Sequence, residues 1–192
     1  ELEVDEYGTV DLDQLERELT AETALVSIMY ANNEVGTIQP LRQVVELAHA
    51  RGVPVHTDAV QAAAHLSLDV ERLGVDLLSV AAHKFYGPKG VGALYIRRGT
   101  RLLPQTHGGG QERGRRSGTE NVAGVVGLAE ALALAQDERS ASGERLRAMS
   151  MHEIEDIVEA AVRALDAAGG DDLRDLFAGL YAWQHGFDTG FT

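Results

Sequence analysis

The chain has 192 residues, 44% of them hydrophobic, and a formal net charge of −13. A chain of this length can bury a sizeable core, roughly 70% of its unfolded surface, but its charge argues against a nucleic-acid partner, since neutralising phosphates takes clustered Lys and Arg. It has no cysteine, which excludes disulfides and thiolate metal ligands. The seven histidines have no metal-ligand spacing, so no metal site is expected. The greasiest region, residues 122–135, is broken by Gly124, Gly127 and Glu130, which argues against a membrane span. The first residues, Glu1-Leu-Glu-Val-Asp-Glu6, carry no basic, apolar leader, and a cytoplasmic protein is expected.

In chain order, Leu12, Leu15 and Leu19 recur at helical spacing behind Asp11, and Ala24 to Tyr30 reads as a strand. Pro40 suits the first turn of a helix carrying Leu41, Val44, Val45 and Ala48, which Gly52 would close. Val53 and Val55 lead a second strand into Asp58, and Val75 to Val80 forms a third. The stretch between them is long enough for a parallel crossover. After the turn Tyr86-Gly-Pro-Lys-Gly90, the strand Val91–Ile96 must run antiparallel to its predecessor, because so short a connection allows nothing else.

Residues 107–119 are glycine-rich and almost without apolar side chains, so they predict a loop rather than an element. They match neither a phosphate-cradling P-loop nor a dinucleotide fingerprint. Within them, Arg113, Arg115 and Arg116 are the one basic cluster, readable as a solvated loop or as an anion-binding or subunit-contact turn. A helix is predicted from near Asn121 toward Asp137. Beyond Arg147, Ile154, Ile157, Val158, Ala161 and Leu165 make an amphipathic stripe, and Gly169-Gly170 precedes Leu173, Leu176, Phe177 and Leu180. A helical hairpin is expected there, with residues 183–192 aperiodic.

The chemistry concentrates at two strand ends. Lys84 follows the third strand, within Ser79-Val-Ala-Ala-His-Lys-Phe-Tyr-Gly-Pro-Lys-Gly90, and Asp58 closes the second, within His56-Thr-Asp-Ala-Val-Gln61. A lysine there can hold the aldehyde of pyridoxal 5'-phosphate (PLP) as a Schiff base, and an acid on the neighbouring strand can keep the pyridine nitrogen protonated. In open α/β sheets ligands collect at the carboxyl ends of parallel strands, so both groups would face one crevice. Each residue also has an ordinary reading: Asp58 as a helix cap, Gln61 as a first-turn surface residue, His56 as a satisfied core histidine, Asn33 as a turn former.

Ala31-Asn-Asn-Glu-Val-Gly36, His56-Thr-Asp-Ala-Val-Gln61, Ala82-His-Lys-Phe-Tyr-Gly-Pro-Lys-Gly90 and Arg116-Ser-Gly-Thr119 occur in that order. The set closely resembles the cysteine desulfurases, PLP enzymes of the class V aminotransferase group that take sulfur from L-cysteine for iron–sulfur cluster assembly and thiolation. The resemblance runs from about Val4 to Arg147. It implies an α/β fold: a PLP-dependent transferase (fold type I) large-domain fragment whose sheet is mostly parallel, with flanking helices and one antiparallel strand. Residues 1–147 would be a partial PLP-binding domain and residues 148–192 a helical tail of unassigned family.

The resemblance also implies roles. Lys84 would bind the cofactor aldehyde and move the substrate proton, Asp58 would pair with the pyridine nitrogen, and Gln61 would hydrogen-bond the phenolic oxygen. His83 would help hold the phosphate, and Asn33 would lie near the phenolic oxygen and substrate carboxylate. Thr119 would reach the phosphate of a neighbouring subunit's cofactor, which implies a homodimer; a sulfur-acceptor or scaffold protein would be a further partner.

Two departures stand out. Ala81 occupies a position where the family usually has a phosphate-binding serine, and Ser79 could replace that hydroxyl only through a shift of strand register. The cysteine that carries the persulfide, and the arginine that grips the substrate carboxylate, belong to a C-terminal region of the family with no counterpart here. Selenocysteine lyase and other class V lyases or aminotransferases share the lysine and acid. The alternative from another class is a non-catalytic remnant that binds a partner through its tail.

Overall fold

The computed structural model describes residues 1–149 together with Asp156, Glu159, Ala160 and Arg163. The chain divides into two compact units, Glu1–Ser140 and Ala141–Thr192.

The first unit is built on strands β1 (Val26–Met29), β2 (Val55–Asp58), β3 (Leu77–Ala81) and β4 (Gly92–Ile96), which lie side by side in that order. The first three are parallel and β4 runs antiparallel to β3, as the short turn after Lys84 requires. Helix α1 (Leu12–Glu18) starts at Asp11, whose carboxylate accepts the Gln14 N–H at 2.9 Å. Helix α2 (Leu41–Ala50) crosses from β1 to β2 and buries Leu41, Val44, Val45 and Ala48. Burying a Val or Leu side chain contributes about 1.5–3 kcal/mol, against propensity differences below about 1 kcal/mol per residue. This face, more than intrinsic helicity, holds α2 in place. Pro40 sits one position earlier than expected, as the N-cap residue.

Alternation along the strands sends Val26, Ile28, Val55, Thr57, Leu78 and Val80 into the core with α2. Thr57 is fully buried, and its hydroxyl donates to the Ile28 carbonyl at 2.8 Å. At the amino end of β3, the buried Asp76 carboxylate accepts the Val55 N–H at 2.8 Å, meets His49 Nε2 at 2.8 Å, and has Arg97 Nε at 3.7 Å. A buried charge needs such partners, and here they fasten α2, β2, β3 and the end of β4 together. That fixes the end of the sheet opposite Asp58 and Lys84.

Short helix α3 (Val70–Leu73) lies in the crossover from β2 to β3. It ends on Gly74 in the left-handed region at φ +78°, where an added Cβ would come within 3.1 Å of Val45 Cγ1. Residues 107–119 depart from the expected plain loop. They contain a two-stranded antiparallel ribbon, β5 (Gly110–Gln111) and β6 (Arg116–Ser117), around a 3₁₀ turn at Glu112–Gly114. Backbone pairing from Gly118 N to Gly109 O at 2.9 Å, and Ser117 N donating to the Thr106 hydroxyl at 3.1 Å, supply order without apolar side chains.

Helix α4 (Val122–Ala148) begins where Asn121 accepts the Gly124 N–H at 3.0 Å. It runs past Asp137, since no proline interrupts it and Glu, Arg and Ala favour helix; the apolar period stops after Ala135 while the helix continues. In the second unit Arg163 Nη1 pairs with Glu159 Oε2 at 3.1 Å. The expected stripe from Ile154 to Leu165, the Gly169-Gly170 break and the segment after it lie outside the described residues. Among the described residues, no helix is long and apolar enough to cross a membrane.

Candidate active site

After β3, the chain enters a single 3₁₀ turn, Ala82–Phe85. Residues three apart eclipse in such a turn, so Ala82 and Phe85 both enter the core while His83 and Lys84 are left exposed. Tyr86 closes the turn at φ +63° and is fully exposed. On the neighbouring strand, Asp58 is the last residue of β2 and is paired in register with Ser79 of β3 and Met29 of β1. Asp58 Oδ1 accepts the Val60 N–H at 2.9 Å. This starts the turn that carries Gln61 and leaves Oδ2 without a hydrogen-bond partner among the described residues.

Asn33 lies beyond the carboxyl end of β1, in a loop closed by the Ala31–Ile38 bridge and by Asn32 N donating to Thr37 O at 2.9 Å. The turn is shaped by Asn32, whose side chain accepts the N–H groups of Glu34 at 2.8 Å and Val35 at 3.0 Å. Asn33 is therefore not needed as a turn former, and its side chain is exposed. The topology thus gathers Asn33, Asp58, Gln61, His83 and Lys84 at the carboxyl ends of three adjacent parallel strands. Thr119 is exposed in the segment between β6 and α4, and no described hydrogen bond joins it to the other five.

Beneath Asp58 lies a polar row that the sequence reading did not assemble. His56 Nδ1 is 2.8 Å from the Ser27 hydroxyl on β1, and Nε2 is 2.6 Å from the Ser79 hydroxyl on β3. His56 is half-buried rather than a core residue. Burial holds its imidazole below the ordinary value of 6.5, opposed by the nearby Asp58 carboxylate. The sequence carries only the alternation, since Val-Ser-Ile, Val-His-Thr-Asp and Leu-Ser-Val each set polar residues between buried ones; strand order and register bring them together. The regular register keeps Ser79 on this row, so it does not replace the hydroxyl missing at Ala81.

The Lys84 turn is braced from behind by α4. A Cβ on Gly87 would come within 2.9 Å of Ala82 Cβ and 3.2 Å of Ala131 Cβ, and one on Gly127 within 2.9 Å of Pro88 Cγ. Nearby, Gln136 Nε2 donates to the carbonyls of Ala63 at 2.7 Å and Leu66 at 3.0 Å. Tyr30, next to the end of β1, has its phenol pushed up by burial, with Arg139 opposing. A cavity of about 750 Å³ lies elsewhere, lined by Leu94, Ile96, Leu103, Arg113, Arg115 and Arg116 among others. It includes none of the six candidate residues, and within it Arg116 pairs with Glu112 at 3.8 Å.

The donor set at the strand ends fits PLP. A primary amine can meet an aldehyde, a carboxylate with one free oxygen can meet a protonated ring nitrogen, and amides and an imidazole can meet a phenolic oxygen and a phosphate.

The aminotransferase class-V family model matches residues 1–167. The chain belongs to that family. Among its curated relatives, "Cysteine desulfurase IscS" of Clostridium botulinum is 52% identical over 145 residues, covering 76% of this chain and 36% of the relative. The protein of the same name from Dictyoglomus turgidum is 54% identical over 145 residues, 76% of this chain and 37% of its own length. The chain therefore spans little more than a third of the length of these relatives. Among solved structures, a "NIFS-LIKE PROTEIN" superposes with a TM-score of 0.73 at 44% identity, covering 85% of this chain and 44% of that one. SspA, solved in complex with cysteine, has a TM-score of 0.65 at 41% identity over 68% of this chain and 38% of its own. The mostly parallel sheet with flanking helices is the fold of these NifS-like proteins.

Proposed function

We propose that this chain is the central part of a PLP-dependent cysteine desulfurase, with residues 1–147 contributing a partial cofactor-binding domain and residues 148–192 a separate helical tail. The observation that carries the reading is the emergence of Lys84 and Asp58 from adjacent parallel strands at the same end of the sheet, with Asp58 Oδ2 free of hydrogen bonds among the described residues. Lys84 Nζ would meet the cofactor's aldehyde, and as an amine it would also carry the Cα proton of cysteine. Asp58 Oδ2 would accept from the protonated ring nitrogen. Gln61 would donate to the phenolic oxygen, His83 would help hold the phosphate, and Asn33 would orient the substrate carboxylate. Bound there, PLP supplies the electron sink that makes the Cα proton acidic.

The reaction converts L-cysteine to L-alanine as sulfur passes to an acceptor thiol, which becomes a persulfide. This chain has no cysteine of its own, so the acceptor is a thiol supplied in trans or by sequence outside these residues. The destination of the sulfur in this reading is iron–sulfur assembly or thiolation, through a sulfur-acceptor or scaffold protein; the relatives' name supports the desulfurase step. Two copies, each lending Thr119 to the other's phosphate, complete the site, in the cytoplasm. The test is to supply PLP, L-cysteine and a small thiol, and to measure sulfide and alanine together. The reading predicts matched release above the free-PLP background that Lys84→Ala abolishes; release unaffected by Lys84→Ala contradicts it.

A further inference from the structure

The Ser27–His56–Ser79 row has no part in the roles assigned above, yet it is the most connected polar feature next to them. Both nitrogens of one imidazole are engaged, at 2.8 Å and 2.6 Å, by hydroxyls from the two flanking strands. Three parallel strands are thereby joined through side chains, His56 reaching Ser27 at its own register and Ser79 at the register of Asp58, in addition to their backbone ladders. Asp58 stands two residues on from His56 and therefore on the same side of the sheet. Its backbone is the next level of the same structure: Tyr30 N donates to Asp58 O at 2.8 Å, and Ala59 N donates to Ser79 O at 3.0 Å. Asp58 Oδ1 is tied to Val60 N, so the direction of Oδ2 is set by where the end of β2 sits between its neighbours.

We propose that His56 is a positioning residue: held at both ring nitrogens by Ser27 and Ser79, it fixes the carboxyl ends of β1, β2 and β3 relative to one another and so aims the Asp58 carboxylate. The inference deepens the proposed function and rests on Asp58 meeting the ring nitrogen of PLP. A hydroxyl pair suits this task because each serine can donate or accept, so a neutral imidazole is satisfied in either tautomer. A cationic imidazole would need both hydroxyls to accept, and it would draw the Asp58 carboxylate toward itself.

The test is a double-substitution cycle on PLP affinity, read from visible absorbance with the full chain. His56→Ala is expected to weaken PLP binding about three- to tenfold, the scale of one lost hydrogen bond to a neutral group. In an Asp58→Asn background the same change should cost almost nothing, because coupled residues are not additive. Ser79→Ala should reproduce the loss, and His56→Gln, which keeps a donor and an acceptor, should restore part of it. An undiminished His56→Ala penalty in Asp58→Asn, with Lys84→Ala and Asp58→Asn behaving as proposed, overturns the positioning role and leaves the proposed function standing.

Amide hydrogen exchange without cofactor provides the separate readout. His56→Ala and Ser79→Ala should speed exchange at Tyr30 and Ala59 while leaving the Asp76 end of the sheet protected. Unchanged exchange at Tyr30 and Ala59, or uniform acceleration everywhere, overturns the positioning role. If the unsubstituted chain binds no PLP, the proposed function fails and the exchange result still decides whether His56 holds the strand ends.

Discussion

At the scale of residues, Ala81 is the most consequential departure from the family pattern. It follows Val80 at the end of β3 and immediately precedes the turn that carries His83 and Lys84. A hydrogen bond to a charged group contributes about 1.5–3 kcal/mol. Ala81→Ser is therefore expected to tighten PLP binding roughly tenfold or more by absorbance titration; an unchanged affinity would mean that position 81 does not face the phosphate. His56 carries a second prediction. Its folded-state imidazole titrates below 6.5, so as pH falls the unfolded chain takes up the proton first. Stability present above 6.5 is lost as pH falls toward the folded-state value. His56→Gln should flatten that loss, seen as a smaller difference between urea midpoints measured above and below the ordinary imidazole value.

The motifs around Lys84 and Asp58 were legible because each follows a readable apolar run. The link between His56 and the serines was not, because it depends on which strands become neighbours and in what register. Asn33 and Thr119 were legible only through resemblance: neither has a described partner that would single it out.

At the scale of elements, the four strands and the crossover helix α2 follow directly from their patterns, with buried positions at 41, 44, 45 and 48. The ribbon β5–β6 escaped notice because backbone and Thr106 hydrogen bonds order it, and no hydrophobic period marks these. The length of α4 escaped for the opposite reason: the apolar period stops before the helix does. Its near end is what braces the Lys84 turn, through Gly127 against Pro88. Gly127→Val is expected to cost about 1–3 kcal/mol by overpacking, and to weaken PLP binding as well because the displaced segment carries Lys84. Urea unfolding and the absorbance titration check the two parts separately. Asn121→Ala, which removes only the helix cap, should cost about 1 kcal/mol and leave cofactor affinity nearly unchanged.

At the scale of the whole molecule, the chain spans little more than a third of its relatives' length. Among the described residues β1 and β4 are both edges, each paired on one side only, and Leu94 on β4 is 45% exposed. Unpaired edges with apolar side chains invite further strands. Leu94→Lys is therefore expected to reduce concentration-dependent association in light scattering while leaving far-UV circular dichroism unchanged.

In the proposed function, the constellation at the strand ends holds PLP through Lys84. The most direct measurement is to incubate the chain with PLP, reduce with borohydride, digest and locate the retained cofactor by mass spectrometry, with Lys84→Ala as control. The cofactor is expected on the peptide containing Lys84, with none retained in Lys84→Ala. Retention spread over other lysines and the amino terminus, equal in both proteins, would contradict it.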